Sequence, residues 1–200
     1  MRRRNAAFAV AVAGAIALAG GALAHPHVWI DNITTFQVAG GRIVAIKLRW
    51  TFDELFGGSI IAQYDRNKDK RFDAKEMEAL KKGAFDNLQG YDYFTHLSVD
   101  DRKVPVKTVT GFVASIENGR LVYQFTVPVD PPVDPRKAKV VLGVYDAEFF
   151  VDIEIGGRES VRYEGLDGMD CRTTVAENPR HAIYNGQVYP LEMYLTCAAP

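Results

Sequence analysis

Phe112-Val113-Ala114-Ser115-Ile116-Glu117-Asn118-Gly119-Arg120-Leu121-Val122-Tyr123-Gln124-Phe125 is the stretch whose reading decides the fold class. Asn-Gly between two alternating apolar runs is the signature of a type I′ turn, whose two central residues both need positive φ. A two-residue loop at Asn118-Gly119 sets Ile116 opposite Leu121, Ala114 opposite Tyr123 and Phe112 opposite Phe125. All six then face one way, as half-buried antiparallel strands require.

The same period of two recurs on either side. Upstream, Val28, Ile30, Phe36 and Val38 share a face, and Val44, Ile46, Leu48, Trp50 and Phe52 share the next. Placing Val38 opposite Val44 aligns Phe36 with Ile46 and Ile30 with Phe52, which predicts a three-residue loop at Gly40-Gly41-Arg42. A strand is also predicted over Tyr93 to Val99, before an Asp100-Asp101 turn. Downstream, Pro128, Pro131, Pro132 and Pro135 mark an irregular crossover, since proline cannot donate to a ladder. Val140, Leu142 and Val144 then lead through a corner at Tyr145 to Glu148 into Phe149, Val151, Ile153 and Ile155, with a short strand at Val161 and Tyr163. Some eight short strands predict a mainly β protein, an antiparallel β-sandwich occupying residues 25–200 as a single domain.

One segment departs from that period. Phe56, Ile60, Ile61 and Tyr64, then Met77, Leu80, Ala84, Phe85 and Leu88, recur at helical spacing and predict a helical insertion at about 53–90, though Gly57-Gly58 weakens the first helix. Between them lies Asp65 to Glu76, which reads as an EF-hand-like calcium loop. Such a loop of twelve places oxygens at its positions 1, 3, 5, 7, 9 and 12, and Asp65, Asn67, Asp69, Arg71 through its carbonyl, Asp73 and Glu76 fill them in order. Calcium is a hard cation suited to this all-oxygen set. Lys70 stands at the sixth position, where the sharp turn favours glycine, so the expected affinity is modest, roughly 10⁻⁴ to 10⁻³ M as in extracellular modules. No second loop of this kind is visible.

Residues 1–24 read as a cleaved signal peptide: Arg2, Arg3 and Arg4, then a small apolar stretch, then Ala22-Leu23-Ala24. That predicts a periplasmic protein with no membrane span once processed. Removing three Arg and no acid from 24 basic and 25 acidic residues leaves 21 against 25. Nothing in that balance, or in the interleaving of the two signs, attracts nucleic acid. Export also places Cys171 and Cys197 in an oxidising compartment, where one disulfide is the economical reading.

Processing would make His25 the first residue of His25-Pro26-His27. An α-amine and two imidazoles suit copper, nickel, cobalt or zinc. Pro26 has no amide hydrogen to lose, so square-planar wrapping is excluded, and a brace completed from elsewhere is expected, with His96 and Asp146 as candidate ligands. No G-x-S-x-G elbow, phosphate loop or H-E-x-x-H is present, so no catalytic residue is assigned and an enzyme is not expected.

The chain resembles the bacterial family known as domain of unknown function 1007. The resemblance is carried by Ala24-His25-Pro26-His27-Val28-Trp29-Ile30-Asp31, Trp50-Thr51-Phe52-Asp53-Glu54, the acidic loop, Phe85-Asp86-Asn87-Leu88, Tyr93-Phe94-Thr95 and Val144-Tyr145-Asp146. It implies a periplasmic component of a transport system, with an inner-membrane transporter of nickel, cobalt or related metals as partner. The expected function is therefore a periplasmic metal-binding accessory protein. The alternatives are the solute-binding component of an ABC transporter and a histidine-brace copper oxidase.

Overall fold

The computed structural model describes residues 26–156 and 158–198. β1 (Val28–Ala39) and β2 (Arg42–Phe52) form the first hairpin, and the predicted Asn118-Gly119 hairpin forms β5 (Thr110–Glu117) and β6 (Arg120–Val133). Ile116 pairs with Leu121 and Ala114 with Tyr123, as expected. The register then slips between Val113 and Thr110. Gly111, at φ 63°, gives that bulge its left-handed residue, and Phe112 stacks on Phe85 with ring centroids 3.8 Å apart instead of standing opposite Phe125.

A bulge also corrects the first hairpin. Ile30 pairs with Phe52 and Phe36 with Ile46, but beyond Gln37 the register shifts and Val38 meets Ile43 rather than Val44. The loop is then the two residues Gly40 and Gly41, at φ 56° and 71°, and Ile43 enters the core. The prolines likewise do not end β6, which continues through Pro128 to Val133. β5 reaches only Thr126, so beyond it β6 has a neighbour on one side alone, where a missing N–H is tolerated.

The larger sheet has the order β5-β6-β2-β1-β8, with β9 also pairing with β1. β8 (Val151–Ile155) and β9 (Val161–Glu164) both run parallel to it, so the sheet is mixed rather than purely antiparallel. The chain reaches β8 from the other sheet, and no hairpin imposes the antiparallel direction. The second sheet has the order β10-β11-β7-β3-β4: β3 (Thr95–Val99), β4 (Arg102–Val104), β7 (Val140–Val144), β10 (Asp170–Glu177) and β11 (Leu191–Ala198). β3 starts two residues later than predicted because Tyr93 and Phe94 hold positive φ, 50° and 52°.

Apolar residues of both sheets form one core, Ile30, Trp50 and Phe125 from the first with Leu97, Leu142 and Met193 from the second. Trp50 is fully buried and meets Phe125 edge-on at 4.8 Å. Its indole N–H has no partner, nor does the side-chain oxygen of Asn32, the residue opposite it on β1.

The helical excursion leaves β2 at Asp53, which caps α1 (Glu54–Tyr64) by accepting the Phe56 amide at 2.9 Å. Its other oxygen accepts the Trp29 amide at 3.0 Å, tying the start of β1 to the helix. Gly57 does not prevent this helix; a Cβ there would lie 3.2 Å from that of Leu121, so glycine lets α1 rest on β6. α2 (Ala74–Leu80) passes into a wide turn over Lys81–Phe85 and a 3-10 segment over Asp86–Phe94, in place of one helix to Gly90. At Gly83 a Cβ would collide with the Tyr64 hydroxyl, so the wide turn and α1 are pressed together. No described helix is long and apolar enough to cross a membrane.

Candidate metal-binding loop

Asp65 to Glu76 joins α1 to α2 and is built from backbone amides folded onto carboxylates. Asp73 accepts the amides of Lys75 (2.8 Å) and Glu76 (2.9 Å), while Glu76 reaches back to the Asp73 amide at 3.0 Å. This capping box starts α2 and fixes the twelfth position of the loop. The other oxygen of Glu76 accepts the amides of Arg66 at 2.8 Å and Asn67 at 3.4 Å. Asn67 and Asp69 bond to one another, and Asp69 accepts the Arg71 amide at 2.9 Å.

Lys70 adopts φ 64°, the conformation expected of glycine at the sixth position, and Lys68 adopts φ 60°. An L-residue held there costs on the order of 1 kcal/mol. What holds Lys70 is its amide, which donates to Asp65 Oδ2 at 3.1 Å. Phe72 packs its ring against the core from the eighth position.

Two carboxylates of this loop are buried, Asp65 at 5% exposure and Glu76 at 7%. Among the described residues neither forms an ion pair. Asp65 Oδ1 has no hydrogen-bond partner either. A buried carboxylate oxygen without a donor is costly, and a cation would remove that cost. As the side chains stand, no three His, Cys, Asp or Glu among the described residues are arranged to hold a metal ion. The loop carboxylates are turned onto amides and onto Asn67, so a cation would have to draw Asp69 and Glu76 off some of those bonds.

Among the described residues the candidate transition-metal ligands His27, His96 and Asp146 form no group arranged to hold a metal ion. His25, like the signal peptide, lies outside the described residues. His27 is exposed; its amide donates to the Phe150 carbonyl at 2.9 Å and its ring lies 4.8 Å from that of Phe150. Asp146 is buried, and its carboxylate accepts the amides of Glu148, Phe150 and Val151 at 3.0, 3.0 and 3.1 Å, which makes it the pin of the corner between β7 and β8. Its wall is that of an apolar cavity with Trp50, Phe94 and Phe150. His96 lines a different cleft, where its Nε2 meets the Tyr145 carbonyl at 2.9 Å and its ring stacks on Tyr145 at 3.9 Å. Burial lowers the His96 pKa, and the nearby Lys103 lowers it further.

Sequence reasoning passed over the residues that share the cleft with His96. Glu192 is 2% exposed and receives His181 Nδ1 at 2.6 Å, Asn178 Nδ2 at 2.7 Å and the Tyr194 hydroxyl at 3.1 Å. The segment that carries the two cysteines forms β10 and β11, with Cys171 opposite Cys197 and the two joined by the expected disulfide. A single acid inside Leu191-Glu192-Met193-Tyr194-Leu195 was the available signal.

A two-sheet β protein with a helix–loop–helix excursion after its second strand is the class these observations define. The chain belongs to the family described as "Protein of unknown function (DUF1007)", whose model matches residues 10–196. It is 36% identical over 137 residues to an "Uncharacterized 15.5 kDa protein in trpE 3'region" of Spirochaeta aurantia, covering 68% of this chain and 97% of that protein. A Haemophilus influenzae "Uncharacterized protein" is 27% identical over 159 residues, covering 78% of this chain and 75% of its own length.

Proposed function

We propose that this protein is a calcium-binding accessory component of a periplasmic metal-ion transport system, with the Asp65–Glu76 loop as its calcium site. The observation that carries the calcium reading is the buried, unpartnered Oδ1 of Asp65 in a loop that also buries Glu76 without a countercharge. The ligand set is Asp65, Asn67, Asp69, the Arg71 carbonyl, Asp73 and Glu76, all oxygen. Left-handed backbone at Lys68 and Lys70 gives the wrapping that a loop around one ion needs. Bound there, calcium would neutralise the buried carboxylates and tie α1 to α2.

The transport role rests on the family resemblance and on His25-Pro26-His27. These would present two imidazoles, and after processing an α-amine, to nickel, cobalt, copper or zinc. The partner in this reading is an inner-membrane metal transporter, and binding needs no turnover chemistry.

Calorimetric titration of the processed protein with calcium tests the loop. Heat saturating at millimolar calcium, abolished by Asp65→Ala and by Glu76→Gln, is the expected result. No calcium heat at 10⁻² M, roughly ten times the weakest affinity expected, sinks the assignment. Copper and nickel titrations of the processed chain and of one carrying an extra residue before His25 test the other arm, which fails if the two bind alike.

A further inference from the structure

The outer face of the second sheet carries a cleft of about 680 Å³ that none of the chemistry above uses. Its floor is set by Gly143, which pairs with His96 of β3 on one side and Glu192 of β11 on the other. A Cβ at Gly143 would strike the Tyr145 ring, so that ring lies in the trough glycine leaves and stacks on His96. The floor is therefore a flat aromatic surface between two polar walls.

Both walls carry basic side chains, with Asp101 beside the lysines and the buried Glu192 behind His181. Lys103 and Lys139 stand on the side of β4 and the segment before β7, and Arg180 and His181 stand on the turn after β10. β4 and β11 are three strand spacings apart in this sheet, about 14 Å at the usual interstrand distance. The lysines are engaged by acids at the surface, exposed Lys103 with half-buried Asp92 and Lys139 with exposed Asp101, each at 2.7 Å. Pairs of that kind are weak and readily shared with a ligand. Among the described residues Arg180 takes part in no ion pair.

The turn that carries Arg180 and His181 is held in position. Asn178 is buried, accepts the Arg180 amide at 3.1 Å and donates to Glu192. Glu192 in turn fixes the His181 ring through Nδ1, which leaves the Nε2 edge to face a ligand and, when protonated, to donate to it. The buried acid Glu192 and the buried amide Asn178 thus place two exposed basic groups, Arg180 and His181, against the cleft.

We infer that this cleft binds a small organic dianion carrying two carboxylates. One carboxylate is taken by Arg180 with His181 beside it and the other by Lys103 and Lys139, with the carbon skeleton over the Tyr145 ring. Two separated anionic groups match cations on two walls better than one compact anion can.

The test is calorimetric titration of the processed, oxidised protein in calcium-free buffer at low salt, with succinate, acetate and inorganic phosphate as probes. Succinate should bind at least about tenfold more tightly than acetate and more tightly than phosphate. Arg180→Ala, at an exposed position, should weaken succinate at least about fivefold. Lys103→Ala with Lys139→Ala should reduce it to the acetate level, and Asp101→Asn, which frees Lys139, should tighten it about twofold. Succinate binding no better than acetate, or indifferent to Arg180→Ala, overturns the proposal; phosphate binding as tightly as succinate overturns the two-walled form of it. Calcium titration of the same samples keeps the two sites separable, because loss of either leaves the other intact.

Discussion

Asp65 and Glu192 are both buried carboxylates, at 5% and 2% exposure, and their surroundings differ. Glu192 is met by an imidazole, an amide and a phenol, all from side chains, so its charge is fully accommodated within the fold. Asp65 is met by one backbone amide, and its second oxygen is met by nothing. A buried charge with a complete set of donors helps specify the structure, whereas one left short of donors marks a place where the folded chain alone is incomplete. The first describes the cleft of the second sheet and the second describes the loop between the helices.

The largest effect that separates the two regions concerns removal of the acid. Glu192→Ala strands His181, Asn178 and Tyr194 together and should cost on the order of 3 kcal/mol in urea unfolding at neutral pH. Asp65→Asn in calcium-free buffer should cost nothing or stabilise slightly, because it removes an uncompensated charge. If the two variants lose equal stability without calcium, the contrast fails. Reduction of Cys171–Cys197 belongs with the cleft: it frees the paired strands that carry Glu192 and should cost roughly 3 kcal/mol on the chain-entropy model. Calcium affinity should survive that reduction.

Ligand addition sharpens the same comparison from the other side. At 10 mM calcium and the affinity expected of the loop, binding should add about 1.4 to 2.7 kcal/mol to unfolding stability. Asp65→Asn and Glu76→Gln should abolish that gain, and Glu192→Gln should keep it. Lys70→Gly relieves the φ 64° conformation and should tighten calcium by up to about 1 kcal/mol. Unchanged affinity there would mean that the Lys70 backbone conformation carries no strain that matters to the ion.

How much of each region could be read from sequence follows from how local it is. All six candidate oxygen donors of the loop lie within twelve consecutive residues, Asp65 to Glu76, and a pattern set by spacing is visible in the sequence at once. The hairpin registers were visible for the same reason, up to the point where bulges at Gly111 and after Gln37 shifted them. Alternation gives the face of each residue but not an inserted one, which is why Val44 was placed in the core where Ile43 belongs. The cleft draws on His96, Lys103, Lys139, Arg180 and Glu192, five positions spread over the chain and joined only by the order β11-β7-β3-β4. No spacing rule reports that order, nor that Asp146 pins a corner by accepting three amides.

The smallest expected effect tests whether the cleft is a closed or an open environment for His96. Burial and Lys103 push its pKa down, against the raising influence of its bond to the Tyr145 carbonyl and of Asp92 and Glu192. The native state therefore binds fewer protons at this site than the unfolded chain in the interval below the ordinary histidine value of about 6.5. Stability rises with pH wherever the unfolded state holds more protons. The contribution of His96 is thus fully present above pH 6.5 and declines as pH falls from there toward the lowered native value. His96→Gln, which keeps a donor for the Tyr145 carbonyl, should flatten the difference in unfolding stability between pH 7 and pH 5.5 relative to the wild-type chain. An identical difference in both proteins would mean that water reaches the imidazole freely, and the cleft floor would then lack the tight His96–Tyr145 packing on which a bound carbon skeleton depends.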